Sequence, residues 1–183
     1  MRKLLCILLA LCLALPWATA LGEGQKKLFT TRYFTVEIPN DWVSDYSGLS
    51  QTKDSWELGY LYPPGDSTLC VYAEIEYYDE WKDVSLWRQN EAEMAEYTRV
   101  LLKDYESYAP ELIDTLYVGR VPFLLLKLTD TGSCFYWAET MTNGYMVGFE
   151  CYALDERFSG YRDVTQAELE TFLNILNSFV PIH

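Results

Sequence analysis

Apolar and polar positions alternate in the stretch YFTVEIPNDW, residues 33 to 42. Phe34, Val36 and Ile38 share one face of an extended chain while Tyr33, Thr35 and Glu37 share the other, the pattern of a half-buried strand. Pro39 removes a backbone donor and closes the strand, Asn40-Asp41 supplies turn chemistry, and Trp42 is placed to anchor the turn on the sheet. The period of two returns at residues 56 to 62, WELGYLY, which run into the turn Pro63-Pro64-Gly65-Asp66. In residues 68 to 78, Leu69, Val71, Ala73, Ile75 and Tyr77 point one way, and Cys70, Tyr72, Glu74, Glu76 and Tyr78 the other.

The period then changes. Between Leu86 and Tyr108 the residues Trp87, Met94, Tyr97, Leu101, Tyr105 and Tyr108 recur at helical spacing. Ser85 is positioned as the cap and Pro110 as the stop of a long middle helix. Strands resume at 112 to 118, with Gly119-Arg120 as the next turn. The run VPFLLLKLTD, residues 121 to 130, is almost continuously apolar, which predicts cover on both faces and a central place in the sheet. Turns at Asp130-Thr131-Gly132 and Asn143-Gly144 make CFYWAETM and YMVGFECYA an antiparallel meander. Thr165 with Glu168 forms a capping box and Val164 with Leu169 a hydrophobic staple. The stripe Leu169, Phe172, Leu173, Leu176 and Val180 follows, with Pro181 as the stop. Three strands, a helix, four strands and a closing helix predict an α+β domain: a mostly antiparallel sheet of about six or seven strands with a long middle helix and a C-terminal helix packed on it.

The opening phrase Phe34-Thr35-Val36-Glu37-Ile38-Pro39-Asn40-Asp41-Trp42 resembles the start of PsbP-like domains, a superfamily that includes Mog-type Ran-binding proteins and small bacterial envelope proteins. The closing phrase Ile175-Leu176-Asn177-Ser178-Phe179 is similar to the end of their terminal helix. The resemblance implies a PsbP-like sandwich, an antiparallel sheet between helices, and a non-catalytic accessory or binding role. Members of the superfamily have unlike partners, a photosystem and a nuclear GTPase among them, so no partner and no site residue carries over to this chain.

The first residues bear on where the chain works. Arg2 and Lys3 precede an uncharged apolar run from Leu4 to Leu15, Pro16 breaks it, and Ala18-Thr19-Ala20 offers small residues at a cleavage site. This is the form of a secretory signal peptide over residues 1–20, and the apolar run is short of the ~20 residues that span a bilayer. Cleavage leaves no transmembrane segment; the alternative is a retained anchor, since no charge appears until Glu23. Cys6 and Cys12 each follow a leucine, which argues against a lipoprotein signal. Residues 21–28 read as a short flexible lead-in to a single domain over 29–183. The expected location is extracytoplasmic, secreted or in the cell envelope.

Without Arg2 and Lys3, 12 basic residues face 27 acidic ones, a net charge near −15. Such a surface repels nucleic acid and anionic membranes. Three cysteines remain beyond residue 20: Cys70, expected as a buried free thiol, and the pair Cys134 and Cys151. A four-residue loop between the last two strands would set position 134 opposite 151 and allow a disulfide; other loop lengths leave the two diagonal or on opposite faces.

Candidate chemistry is sparse. The one histidine, His183, is the last residue, which removes most histidine-based triads and zinc sites. Lys127 lies in an apolar strand but lacks a Ser-x-x-Lys partner. Glu74 and Glu76 point the same way from one strand, ~7 Å apart, a spacing that suits paired-carboxylate hydrolysis and equally an ordinary polar face. Asp79-Glu80 and Asp155-Glu156 with Asp163 could ligate calcium, although neither has the spacing of a known loop. No phosphate-cradling loop is present and nothing calls for a cofactor. The aromatics are the remaining excess, with 15 Tyr, 6 Trp and 8 Phe. Tyr60, Tyr62, Tyr72, Tyr78 and Trp81, around the second and third strands, are the candidate binding surface for a protein or glycan partner. The reading is therefore an exported non-catalytic binding domain, with a small hydrolase or a calcium-binding envelope protein as alternatives.

Overall fold

The alternating segments build two antiparallel sheets around a shared core. The computed structural model describes residues 25–65, 68–155 and 160–182; the expected signal peptide, Glu156 and His183 lie outside the described residues. In chain order the strands are β1 (Lys26–Thr30), β2 (Phe34–Pro39), β3 (Val43–Asp45), β4 (Ser55–Tyr62), β5 (Leu69–Tyr77), β6 (Glu111–Val118), β7 (Val121–Asp130), β8 (Ser133–Thr142), β9 (Tyr145–Leu154), β10 (Tyr161–Arg162) and β11 (Val180–Pro181). A small sheet has the order β1-β2-β11, and the main sheet runs β3-β4-β5-β9-β8-β7-β6 with β10 paired to β9. The two helices are α1 (Glu91–Asp104) and α2 (Gln166–Asn177).

Alternation sorts the main sheet into two faces. One carries Val71, Ala73 and Ile75 of β5, Phe123 and Leu125 of β7, Ala138 of β8, and Val147, Phe149 and Cys151 of β9. It packs on Phe34, Val36 and Ile38 of β2 and on Phe172, Ile175 and Leu176 of α2. The ring of Phe34 lies 5.2 Å from those of Phe149 and Phe179, and Phe123 lies 5.0 Å from Phe179. The other face carries Leu124, Leu126, Leu128, Trp137, Met141 and Met146 and is covered by Tyr97 and Leu101 of α1.

Several elements differ from the sequence pattern for identifiable reasons. The middle helix starts at Glu91, not Leu86, because Asn90 caps it and Glu93 closes the capping box from the third position. Ser85 instead faces the sheet: its hydroxyl donates to Asn143 Oδ1 and accepts from the Asn143 N–H, both at 3.1 Å. Leu86–Arg88 is a separate short helical turn that buries Leu86 and leaves Trp87 47% exposed. The helix closes before Pro110, with Tyr105 at its C-cap and a second short turn at Glu106–Tyr108. The lead-in is shorter than residues 21–28, since Lys26, Lys27 and Leu28 pair with Pro39, Ile38 and Glu37. Strand β7 is covered on both faces as its composition demands, yet it is next to the edge; β9 holds the centre. Cover by α1 on one side and by the Phe core on the other explains an apolar run without a central position. The closing helix has its Thr165–Glu168 capping box but ends at Ser178, so Val180 leaves the stripe and pairs, exposed, with Thr35.

The last hairpin fixes the cysteines. Asn143 and Gly144 both have positive φ, 50° and 80°, and join Thr142 directly to its partner Tyr145. A two-residue loop of this hand matches the twist of the flanking strands. It sets Cys151 opposite Tyr136 and leaves Cys134 on the diagonal, so the Cys134–Cys151 bridge that a four-residue loop would have allowed is not made and both thiols are free. Diagonal neighbours lie ~7–8 Å apart, beyond the usual reach of a disulfide. Cys70 is a buried free thiol, pushed up to about 11 mainly by burial.

Candidate functional site

Two recesses flank the main sheet, and they differ in chemistry. The first lies under α1. Alternation along β5, β8 and β9 sends Glu74, Glu76, Glu139 and Glu150 to the α1 side, and Glu139 and Glu74 both pair with Gly148 across the strands. Gly148 is required here: a Cβ would meet the Trp137 ring at 2.3 Å. The Trp137 indole N–H donates to Glu139 Oε2 at 2.7 Å, and the Tyr97 hydroxyl donates to Glu139 Oε1 at 2.6 Å. Tyr72 donates to Glu74 at 2.9 Å and Tyr78 to Glu76 at 2.6 Å.

Among the described residues, no lysine or arginine lines this recess, whose two lobes of about 280 and 270 Å³ share Glu74 and Tyr105. Uncompensated burial therefore governs the titration. Glu139 is raised to about 6 by burial, against the pull of its two donors. Glu150 is raised to about 7 by burial and then by the charge of Glu74. Glu74 is raised by burial, which its Tyr72 hydrogen bond offsets in part, while Glu76 and Glu57 push it further. Glu150 is thereby brought into the range in which a side chain can exchange a proton near neutrality, and Glu139 approaches it from below.

Of the candidate residues from the sequence, Tyr72, Tyr78 and Trp81 line this side of the sheet, and Tyr60 and Tyr62 lie outside the lining. Tyr60 packs at a tilt against Tyr72 with ring centres 5.1 Å apart, Trp81 meets the Tyr97 ring edge-on at 5.5 Å, and Tyr62 bonds weakly to Asp45. Tyr72 is buried, and Tyr60, Tyr62, Tyr78 and Trp81 are half-buried. Glu74 and Glu76 are joined by Glu139 and Glu150, which sequence reading missed because the cross-strand register brings them in. Lys127 is half-buried opposite Glu111 and Tyr136, away from these groups. Asp79 accepts from Tyr77, and Asp163 from the Cys134 N–H. Among the described residues, no group of three or more His, Cys, Asp and Glu side chains could hold a metal ion.

The second recess opens at the end of the apolar face and encloses about 840 Å³. Ile75, Thr140 and Val147 of the main sheet line it, together with Val118 and Val121 beside the β6–β7 turn and Phe179 and Val180 after α2. Tyr33, Trp87 and Tyr145 complete its wall, the last two 47% and 41% exposed. The Thr140 hydroxyl is buried without a hydrogen-bond partner among the described residues. Among the described residues, the charged ones in the lining are Arg88 and Arg120. The Arg88 guanidinium lies 4.3 Å from the Trp87 ring centre. No pattern in the sequence pointed to this recess, because its wall is drawn from six separate segments of the chain. The nearest signal was Trp87, whose helical spacing assigned it to the interior.

Comparison with known proteins places the architecture. No protein-family model and no curated protein matches the chain. Among solved structures, the cyanobacterial PsbP (CyanoP) of Synechocystis sp. PCC 6803 is similar over 89% of this chain and 96% of its own, with a TM-score of 0.52 and 14% identity. A Bacteroides thetaiotaomicron VPI-5482 protein is similar over 88% of this chain and 50% of its own, with a TM-score of 0.46 and 13% identity. The chain has the PsbP-like α+β fold.

Proposed function

We propose that this chain is an exported, non-catalytic binding domain whose site is the apolar recess between Trp87, Tyr145 and the β6–β7 turn. The observation that carries the reading is the recess itself. At about 840 Å³ it has the ~300–1,000 Å³ of a small-molecule site, its wall is largely aliphatic and aromatic, and among the described residues no carboxylate or histidine side chain lines it for acid–base work. The signal-like N-terminus supports export, and the PsbP-like fold, implied by the opening and closing phrases, suits a binding role. The test is saturable, one-to-one binding of the neutral dye N-phenyl-1-naphthylamine, followed by its fluorescence. Val121→Trp, which fills the recess from its rim, is expected to abolish binding. Absence of saturable binding by the parent chain, or full binding by Val121→Trp, overturns the reading.

One observation favours a second reading, a small hydrolase on paired carboxylates. Glu150, raised to about 7, has no hydrogen bond among the described residues and lines the same recess as Glu74. A panel of nitrophenyl glycosides and esters between pH 5 and 8 tests it. Turnover lost in Glu74→Gln and Glu150→Gln would establish it, and no turnover across the panel removes it.

A further inference from the structure

We infer that the apolar recess takes a free amphipathic anion: one alkyl chain or ring system ending in a carboxylate or similar head group. The inference rests on the binding reading above and adds the sign and place of the ligand's charge. Its basis is a local inversion of charge. The chain has 27 acidic residues against 14 basic, yet among the described residues no Asp or Glu lines this recess, and the two ionic side chains that do are both arginines. They come from separate loops, Arg88 from the turn Leu86–Arg88 and Arg120 from the β6–β7 turn, where Gly119 has φ 62°.

Neither arginine makes an ion pair among the described residues, in a protein with acid to spare. The Arg88 guanidinium lies over the Trp87 ring, 4.3 Å from its centre, and a guanidinium so placed can still offer its N–H groups to a bidentate acceptor. Arg32 adds a third cation beside the wall, 4.7 Å over Tyr33 and 5.8 Å from Trp56. An apolar body buried against Val118, Val121, Val147 and Phe179, with its charge at the arginine rim, satisfies both parts of the site. A neutral ligand would leave the two guanidiniums unanswered, and a cation would meet them directly.

The experiment compares three ligands of equal chain length on the full chain, below their micelle concentrations: dodecanoate, dodecan-1-ol and dodecyltrimethylammonium. Calorimetry at low salt is expected to give dodecanoate about tenfold tighter than the alcohol, with the ammonium weakest; each exposed ion pair contributes up to about fivefold. The double variant Arg88→Gln/Arg120→Gln is expected to bring dodecanoate down to the affinity of dodecan-1-ol, and a preference kept by that variant overturns the inference. Equal affinity for dodecanoate and dodecan-1-ol overturns the head-group assignment while dye binding preserves the binding site. Loss of dye binding in the parent chain sinks both. Co-sedimentation with phosphatidylglycerol vesicles, without binding of free dodecanoate, also overturns the inference, since the arginines would then be reading a membrane surface.

Discussion

The two faces of the main sheet come from the same strands and solve burial in opposite ways. The face toward β2 and α2 is closed by Phe34, Phe123, Phe149 and Phe179, with no acid among its buried residues. The face toward α1 buries Glu139 at 4% exposure and surrounds it with Glu74, Glu76 and Glu150. One face is held by contact between rings, the other by a few donors that keep carboxyl groups tolerable. A change on the first should therefore cost the same at any pH, and a change on the second should not.

The largest effect is expected on the ring face. Phe149→Ala removes a fully buried ring in contact with Phe34, Phe123 and Phe179. Urea denaturation should show a loss of about 3–5 kcal/mol, equal at pH 5 and pH 8. Gly148→Ala comes next, because its Cβ would collide with the Trp137 ring and push the indole away from Glu139. The expected loss is about 1–3 kcal/mol, the usual cost of overpacking, with a larger share at pH 8. An equal loss at both pH values would show that the indole keeps its hydrogen bond and that the clash is relieved elsewhere.

The ring face was legible in the sequence and the acid face was not. Phe34, Val36 and Ile38 announce themselves by alternation, and Thr165 with Glu168 by spacing, since both signals are local. The pairing of Glu139 with Gly148, and of Gly148 with Glu74, depends on two cross-strand registers at once. The register of the last hairpin turns on loop length, which Met141-Thr142-Asn143-Gly144 leaves open until the two positive φ angles select the two-residue form. The arginine-rimmed recess is less legible still. Its residues lie as far apart as Tyr33 and Pro181, and Arg88 reaches it only because Asn90 starts the helix late.

Removing one donor from Glu139 separates the faces more finely. Tyr97→Phe leaves the Glu139 carboxylate with the Trp137 N–H alone. Since the Tyr97 hydrogen bond lowers the Glu139 pKa, its loss should move that group above about 6. The expected cost is about 1.5–3 kcal/mol at pH 8, where the charged form is buried, and less at pH 5, where the carboxyl is protonated. A cost independent of pH would mean that the hydroxyl matters as packing.

The smallest effect has the most informative sign. Glu150 sits at about 7 in the folded chain against an ordinary 4.5, so between these values the folded state holds a proton that the unfolded state has released. Stability from this group is then intact below pH 4.5 and falls as pH rises toward 7. Glu139, raised to about 6, adds to the fall over the lower part of that window. Glu168 acts in the other direction: its Arg162 partner holds it at about 2, so its contribution is present above 4.5 and lost as pH drops toward 2. The two trends place the stability maximum on the acid side of neutral. Glu150→Gln keeps the shape and removes the ionisation, so it should gain on the order of 1 kcal/mol at pH 8, after allowance for solvent screening, and nothing at pH 4.5. Urea midpoints at the two pH values measure both. A gain of equal size at pH 4.5 would assign it to packing under α1, and would leave the contrast between the two faces resting on Glu139 alone.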